Sequence, residues 1–203
     1  MNSQPHIATL ILAAGNSSRM GEPKQLLPWK NTFLLHHAIH TAIHLTNSKT
    51  FVVLGANHEL IASKIDSINT EILYNENWKL GLGSSIAFGV QSIMRSNQKF
   101  DGVLIMLSDQ PLIHSNYLDG LIGLFKARNN QIIASVYKTK KLGVPAVFDL
   151  YYFKELSCLN QDEGAKKVIT DHIDNVITVN ANHLITDIDT KEDYETLYNA
   201  NHQ

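Results

Sequence analysis

LILAAGNSSRMGEPKQLL, residues 10–27, is an apolar run that ends abruptly in a turn of small residues and is followed by two cations, Arg19 and Lys24, five positions apart. The apolar part belongs to Ile7–Leu12, which has the length of a strand buried on both faces. Six more such runs follow, at Thr50–Leu54, Glu71–Tyr74, Gly102–Leu107, Gln131–Val136, Val144–Phe148 and Asn175–Val179. Between most of them apolar residues recur at helical spacing. Leu34, Leu35, Ala38, Ile39, Ala42 and Ile43 form one stripe; Leu118, Leu121, Ile122 and Phe125 form another behind a helix cap at Ser115. Strands of this kind alternating with amphipathic helices specify an α/β fold: a mostly parallel sheet of about seven strands, covered by helices on both faces as a three-layer α/β/α sandwich of Rossmann-like type. Ligands of such sheets sit beyond the carboxyl ends of the strands, so the loops at that edge carry the chemistry.

No repeat, low-complexity segment or long linker marks a second unit, and residues 1–203 are expected to form one domain. Seventeen Lys and Arg against 19 Asp and Glu give a formal charge of −2. That balance provides no broad electrostatic reason to bind nucleic acid or an anionic membrane, so any anion must be met by a local site. The single cysteine, Cys158, excludes an internal disulfide framework and fits a reducing compartment. The N-terminus lacks a basic segment, and its apolar stretch is shorter than the roughly 18 to 20 residues that span a bilayer. A soluble, cytoplasmic protein is expected. His36, His40 and His44 share one helix face, a spacing that suits a transition metal, but that face lies opposite the apolar stripe, where polar residues meet solvent.

In the first loop, Ala13, Ala14 and Gly15 carry so little side chain that a ligand can approach the backbone, with free N–H groups facing a phosphate. Arg19, a planar fork, and Lys24, a mobile point charge, then supply the charge a polyphosphate demands. The plain alternative is a connective turn with two solvated cations. A Walker A loop is excluded, because Gly15 and Gly21 enclose five residues and Lys24 comes late. The dinucleotide fingerprint is excluded too, because two of its three glycines are missing.

Other candidate sites lie further along. Asp109 ends the apolar run of LIMLSDQPL and precedes Pro111, which stops the strand. It is placed either to ligate Mg²⁺, a hard cation that combines one or two carboxylates with substrate phosphates, or to cap the next helix. Asp187 and Asp189 are candidates for a second carboxylate, with Asp187 favoured because Thr190 and Asp193 form a capping box that draws Asp189 toward the helix start. Gly81, Gly83, Ser84 and Ser85 open a helix carrying Ile86, Val90, Ile93 and Met94. Its first N–H groups and two hydroxyls suit a base edge or a phosphate oxygen, and Ser84 equally suits a helix cap.

LILAAGNSSRMGEPKQLLPW resembles the signature of the nucleotidyltransferases related to molybdenum cofactor cytidylyltransferase and guanylyltransferase: Leu-Ala-(Ala/Gly)-Gly, then Ser-x-Arg-Met-Gly, then Lys. GLGSSIAFGV (81–90), MLSDQPLI (106–113), GVPAVF (143–148), NQDEGAKKVI (160–169) and DIDTKEDYETL (187–197) resemble further blocks of that family in the same order, across essentially the whole chain. The resemblance implies transfer of a nucleoside monophosphate from a triphosphate to a phosphate-bearing acceptor, the terminal phosphate of molybdopterin, with release of pyrophosphate. It implies Arg19, Lys24 and Asp109 as catalytic residues and Asp109 with Asp187 as ligands of Mg²⁺. Leu12, Ala13, Ala14, Gly15, Lys24, Gly81, Ser84 and Ser85 are implied for the nucleotide, and a molybdoenzyme or its chaperone is left open as a further partner. Alanine at position 14, where the guanylyltransferase branch has glycine, favours CTP. Two departures bear on the acceptor: Val144 stands where the family often has His, and Gln161 where it often has Gly. The chemistry fits the absence of a Ser-His-Asp set, because a phosphate monoester, with its second pKa about 6, is already an anionic nucleophile. Competing readings are a guanylyltransferase, a sugar-phosphate or methylerythritol-phosphate nucleotidyltransferase, a molybdopterin or nucleotide carrier without catalysis, and a nicotinamide oxidoreductase, the last opposed by the missing fingerprint.

Overall fold

The computed structural model describes residues 4–65 and 69–202. The first strand, β1 (Ile7–Ala13), is buried at all seven positions and is parallel to both of its neighbours. It is followed by a short hairpin, β2 (Pro28–Trp29) and β3 (Thr32–Phe33), then α1 (Leu34–Ile43), β4 (Ser48–Leu54), α2 (His58–Ala62), β5 (Thr70–Tyr74), α3 (Leu82–Arg95) and β6 (Gly102–Leu107). The second half continues with α4 (Ser115–Leu124), β7 (Ile132–Val136), β8 (Leu142–Asp149), α5 (Phe153–Leu156), α6 (Ala165–Asp171), β9 (Val176–Asn180) and α7 (Lys191–Asn201).

Among the described residues seven strands form one sheet in the order β5-β4-β1-β6-β8-β7-β9, and each apolar run of the sequence supplies one of them. Only β8 runs against the others, pairing antiparallel with both β6 and β7. The chain builds outward from β1 through β4 to β5, then crosses back to β6 on the other flank. That reversal opens a crevice at the carboxyl end of β1, as expected for open α/β sheets. Because β8 is antiparallel, its first residues, Leu142–Val144, reach the same edge as the last residues of β1, β6 and β7.

Alternate residues of β1 feed two cores. Ile7, Ile11 and Ala13 pack with Leu35 and Ile39 of α1 and Leu118 and Leu121 of α4. Ala8, Leu10 and Leu12 pack with Ile86 and Val90 of α3 and Val168 of α6. A third, smaller cluster, Leu27, Trp29, Leu34 and Ile188, joins the hairpin to Tyr194 and Leu197 of α7. The sequence pattern gave no sign of this hairpin, whose two-residue strands are too short to show alternation.

One local expectation changes. The cap of α4 is His114, whose Nδ1 accepts the Tyr117 N–H at 3.2 Å, so Ser115 is the first helical residue. At the end of α1, His40 and His44 are exposed, their rings tilted to one another with centroids 4.4 Å apart and His44 Nδ1 bonded to the His40 carbonyl, while His36 packs edge-on to Phe33. Among the described residues no group of three or more His, Cys, Asp or Glu is placed to hold a metal ion.

Candidate functional site

Beyond Ala13 the chain folds back on itself around one buried amide. Gln25, 2% exposed, donates through Nε2 to the carbonyls of Ala13 and Gly15, each at 2.9 Å. Ser17, at φ 53°, accepts the Met20 N–H on its carbonyl (2.8 Å) and the Lys24 N–H on its hydroxyl (3.0 Å). These bonds close the loop and bring Lys24 back to the end of β6.

There the Lys24 ammonium pairs with Asp109, donates to the Ile188 carbonyl at 3.1 Å and lies 3.6 Å from Asp189. The glycine-and-cation loop after β1 and the acid after β6 therefore share one ion pair. Asp109 is buried, and its other oxygen, Oδ1, has no hydrogen-bond partner among the described residues. Arg19, solvent-exposed, reaches Asp189 at 3.3 Å instead of lining the crevice.

Asp187 and Asp189 are positioned by the residue between them. Ile188 is fully buried in the hairpin cluster, and its N–H donates to the Asp109 carbonyl at 3.1 Å. Its neighbours then point to different partners: Asp189 to Lys24 and Arg19, Asp187 to the Nε2 of buried Gln110 at 2.8 Å. Although Asp187 has one solvent-facing side, desolvation raises its carboxyl pKa above the usual range; Gln110 opposes the rise, and the charges of Asp109 and Asp189 add to it. The capping box expected at the start of α7 is present between Thr190 and Asp193.

The crevice is a cavity of about 360 Å³. Leu12, Ala13, Ala14, Gly15, Lys24, Gly81, Ser85 and Asp109 line it, together with Trp78, which the sequence reading did not single out. Ser84 faces elsewhere: its hydroxyl donates to the Asn77 carbonyl (2.9 Å) and accepts from Asn75 Nδ2 (3.0 Å). Asn75, 2% exposed, also donates to Ser85 Oγ at 3.2 Å. The cap of α3 is Gly81, not Ser84. Gly81 (φ 104°) and Gly83 are required by the segment 160–163 that crosses over them: a Cβ would lie 2.4 Å from the Gln161 carbonyl oxygen in one case and 2.5 Å from that of Asn160 in the other.

His37 supports the Asp109 loop from α1. Its Nε2 bonds the Pro111 carbonyl at 3.0 Å, and burial, aided by the charge of Lys30, lowers its pKa to about 4. The unfolded chain, with an ordinary histidine near 6.5, binds the proton more readily than the folded one. This stabilisation is therefore complete above pH 6.5 and is lost as pH falls toward 4. For a partly buried ring the loss is expected on the order of 2 kcal/mol. Denaturant titrations at pH 7 and pH 4.5 should show the decline in the wild type and a smaller one in His37→Gln; equal declines would remove the assignment.

The sheet order, the small-residue loop and the acid at the end of β6 define a Rossmann-like nucleotidyltransferase fold. The chain belongs to the MobA-like NTP transferase domain family, which matches residues 9–176. It is 27% identical to the purine catabolism protein PucB of Bacillus subtilis over 97% of this chain and 98% of that one. It is 32% identical to nicotine blue oxidoreductase of Paenarthrobacter nicotinovorans over 53% of this chain, a match spanning only about half (51%) of that relative's length. Among solved structures, Rv0371c of Mycobacterium tuberculosis superposes with a TM-score of 0.83 at 26% identity, covering 95% of this chain and 98% of that one. Among the described residues no helix is long and apolar enough to cross a membrane.

Proposed function

We propose that this chain transfers CMP from CTP to the terminal phosphate of molybdopterin, as molybdenum cofactor, with release of pyrophosphate. The observation that carries the reading is the meeting of Lys24 and Asp109 beside a cavity walled by Ala13, Ala14 and Gly15. A carrier needs the small-residue wall but has no use for a buried carboxylate facing it.

The carboxylates suit a divalent cation. Among the described residues Asp109 Oδ1 is buried and unpartnered, and the pKa of Asp187, raised first by desolvation and further by the charges of Asp109 and Asp189, marks a carboxyl whose charge a cation would stabilise. The set is too small for an all-protein cage and suits a metal whose remaining ligands are phosphate oxygens and water. Mg²⁺ on Asp109 and Asp187 is the reading adopted; Rv0371c has been solved in complex with manganese, which supports a divalent ion without choosing between the two. Such an ion, when bound, supplies Lewis-acid polarisation at the α-phosphate. Lys24 holds the triphosphate, Arg19 swings from Asp189 to neutralise the departing pyrophosphate, and the backbone of residues 13–15 lets the phosphates approach. The acceptor phosphate attacks as an anion, so no side chain need remove a proton.

Base recognition falls to Ser85. Its oxygen accepts from Asn75, leaving the hydroxyl hydrogen to donate into the cavity. A lone donor matches N3 or O2 of cytosine. The Ala14 methyl narrows the space for a purine, an effect typically worth about 1 to 3 kcal/mol. Asn75→Asp would turn the Ser85 hydroxyl back toward the new carboxylate and should raise the KM for CTP roughly tenfold or more, the scale of one lost hydrogen bond to the base, with kcat little changed. An unchanged KM would remove Asn75 and Ser85 from base recognition.

The function is tested by incubating the purified chain with Mg²⁺ or Mn²⁺ and molybdenum cofactor, offering CTP or GTP, and measuring pyrophosphate. Release with CTP is expected. Release only with GTP would reassign the base, and release with neither would overturn the acceptor.

A further inference from the structure

Asp109 and Gln110 grip the segment that carries Asp187 through two bonds. The Asp109 carbonyl accepts the Ile188 N–H at 3.1 Å, and Gln110 Nε2 donates to Asp187 Oδ1 at 2.8 Å. The base of this grip is firm: the Gln110 carbonyl accepts the Ile113 N–H at 3.1 Å, and the next carbonyl, that of Pro111, is held by His37. Asp187 lies in the stretch 181–189, which contains no helix or strand, and among the described residues its carboxylate has no other hydrogen-bond partner. Gln110 thus decides how that carboxylate is turned.

Stability gives no reason for an amide at this position. Gln110 is 3% exposed, and its Oε1 is buried without a partner among the described residues. A buried acceptor left unpaired carries a cost that methionine, of similar length, would not bring. Turning the amide over would set that oxygen against the Asp187 carboxylate, so an N–H must face the acid. What the side chain contributes is a single donor aimed at one oxygen of Asp187.

We propose that Gln110 is a positioning residue that sets which ion the two-carboxylate site accepts: with Oδ1 of Asp187 engaged, that acid is offered to a metal through Oδ2 alone, which favours Mg²⁺ or Mn²⁺ over Ca²⁺. The proposal rests on the metal site of the transferase reading above and adds its ion selectivity. Small divalent ions demand near-octahedral geometry, which a carboxylate binding through both oxygens distorts. Ca²⁺ is larger, gathers more oxygens in looser geometry and takes a carboxylate through one oxygen or both. An oxygen that already accepts an N–H is a poorer ligand, so the second bond open to calcium is the one Gln110 withdraws. Outer partners that orient a metal ligand are typically worth about 10- to 100-fold in metal affinity.

The test compares the full chain with its Gln110→Met, Gln110→Asn and Asp187→Asn variants. Without nucleotide or turnover, Mn²⁺ affinity is read from the electron paramagnetic resonance signal of the free ion, and Ca²⁺ affinity from the concentration that displaces bound Mn²⁺. Gln110→Met should weaken Mn²⁺ binding about tenfold and leave Ca²⁺ binding within about twofold, moving the preference toward calcium. Gln110→Asn, whose amide falls a methylene short of Asp187, should move it the same way and covers a methionine variant that fails to fold. In the Asp187→Asn background, Gln110→Met should leave the ratio of the two ions where it is, because the acid it orients is already gone. Pyrophosphate release by Gln110→Met should return to within a few-fold of the wild-type rate at saturating Mn²⁺, which general damage to the site would prevent. Equal weakening of both ions, an unchanged ratio, a ratio that still shifts in the Asp187→Asn background, or a rate that excess Mn²⁺ does not recover overturns the proposal, as does a wild-type chain that binds no Mn²⁺. Absence of pyrophosphate from the wild type with every nucleotide and acceptor overturns the transferase reading, while the ion ratio, measured without turnover, still decides for or against Gln110.

Discussion

Asp109→Asn should reduce pyrophosphate release from CTP by about 10²-fold or more, the loss typical of removing one preorganised electrostatic stabiliser. Asparagine keeps the shape of the side chain and an oxygen for Lys24 but removes the charge that, in the proposed mechanism, would anchor a cation beside the α-phosphate. The Lys24 ammonium would keep the Ile188 carbonyl at 3.1 Å and Asp189 at 3.6 Å, so the loop after β1 has other contacts to hold it. Buried Gln25, which closes that loop, touches neither acid. The variant is therefore expected to melt within a few degrees of the wild type and to bind CTP within a few-fold when no metal is present. Rate, with and without added metal, is the measurement. A variant that stays folded and turns over at the wild-type rate would place the chemistry elsewhere, and one that still delivers cofactor without turnover would favour a carrier.

The strands were readable in sequence because burial on both faces demands unbroken apolar runs, and few other structures impose that demand in so few residues. Their order was less accessible. The reversal of β8 has no signature in VPAVF itself, since a strand buried on both faces looks the same in either direction, yet that reversal brings Leu142–Val144 to the functional edge. The loop after β1 and Asp109 could be picked out by residue type, but their meeting depends on β1 and β6 being neighbours. Gln25, Asn75 and Gln110 escaped notice for a common reason: a lone amide in a polar loop reads as solvated, and only the fold shows each one buried and bonded to a residue of the site. Ser84 and Ser85 illustrate the limit of adjacency, because consecutive positions at a helix start face different ways, one into the Asn75–Asn77 turn and one into the cavity. Nor did the spacing show that Asp187 and Asp189, either side of fully buried Ile188, meet different partners, Gln110 for the first and Lys24 with Arg19 for the second.

Lys24→Met is expected to move two quantities in opposite directions. The Lys24 ammonium occupies a setting of oxygens that a divalent ion would also seek: the Asp109 carboxylate, the Ile188 carbonyl and, slightly further off, Asp189. On the proposed metal site, lysine and metal would compete for Asp109 in the free protein. A nucleotide would resolve the competition, because its phosphates would offer the ammonium a second anionic partner and give the metal its remaining ligands. Removing the lysine should raise the affinity for Mn²⁺ in the absence of nucleotide by roughly tenfold, corresponding to about 1.4 kcal/mol, as read by the electron paramagnetic resonance signal of free Mn²⁺. The same substitution should weaken CTP binding and lower the rate by about 10²-fold or more, since the triphosphate loses its cation. Methionine matches the length and apolar stem of lysine, so packing against the loop is preserved and general damage to the site would depress both affinities together. Tighter manganese binding joined to weaker CTP binding is the signature of a side chain that holds the metal's place until substrate arrives. Manganese affinity that is unchanged or reduced in Lys24→Met would show that the ion is held without Asp109, and the two-carboxylate site would have to be redrawn.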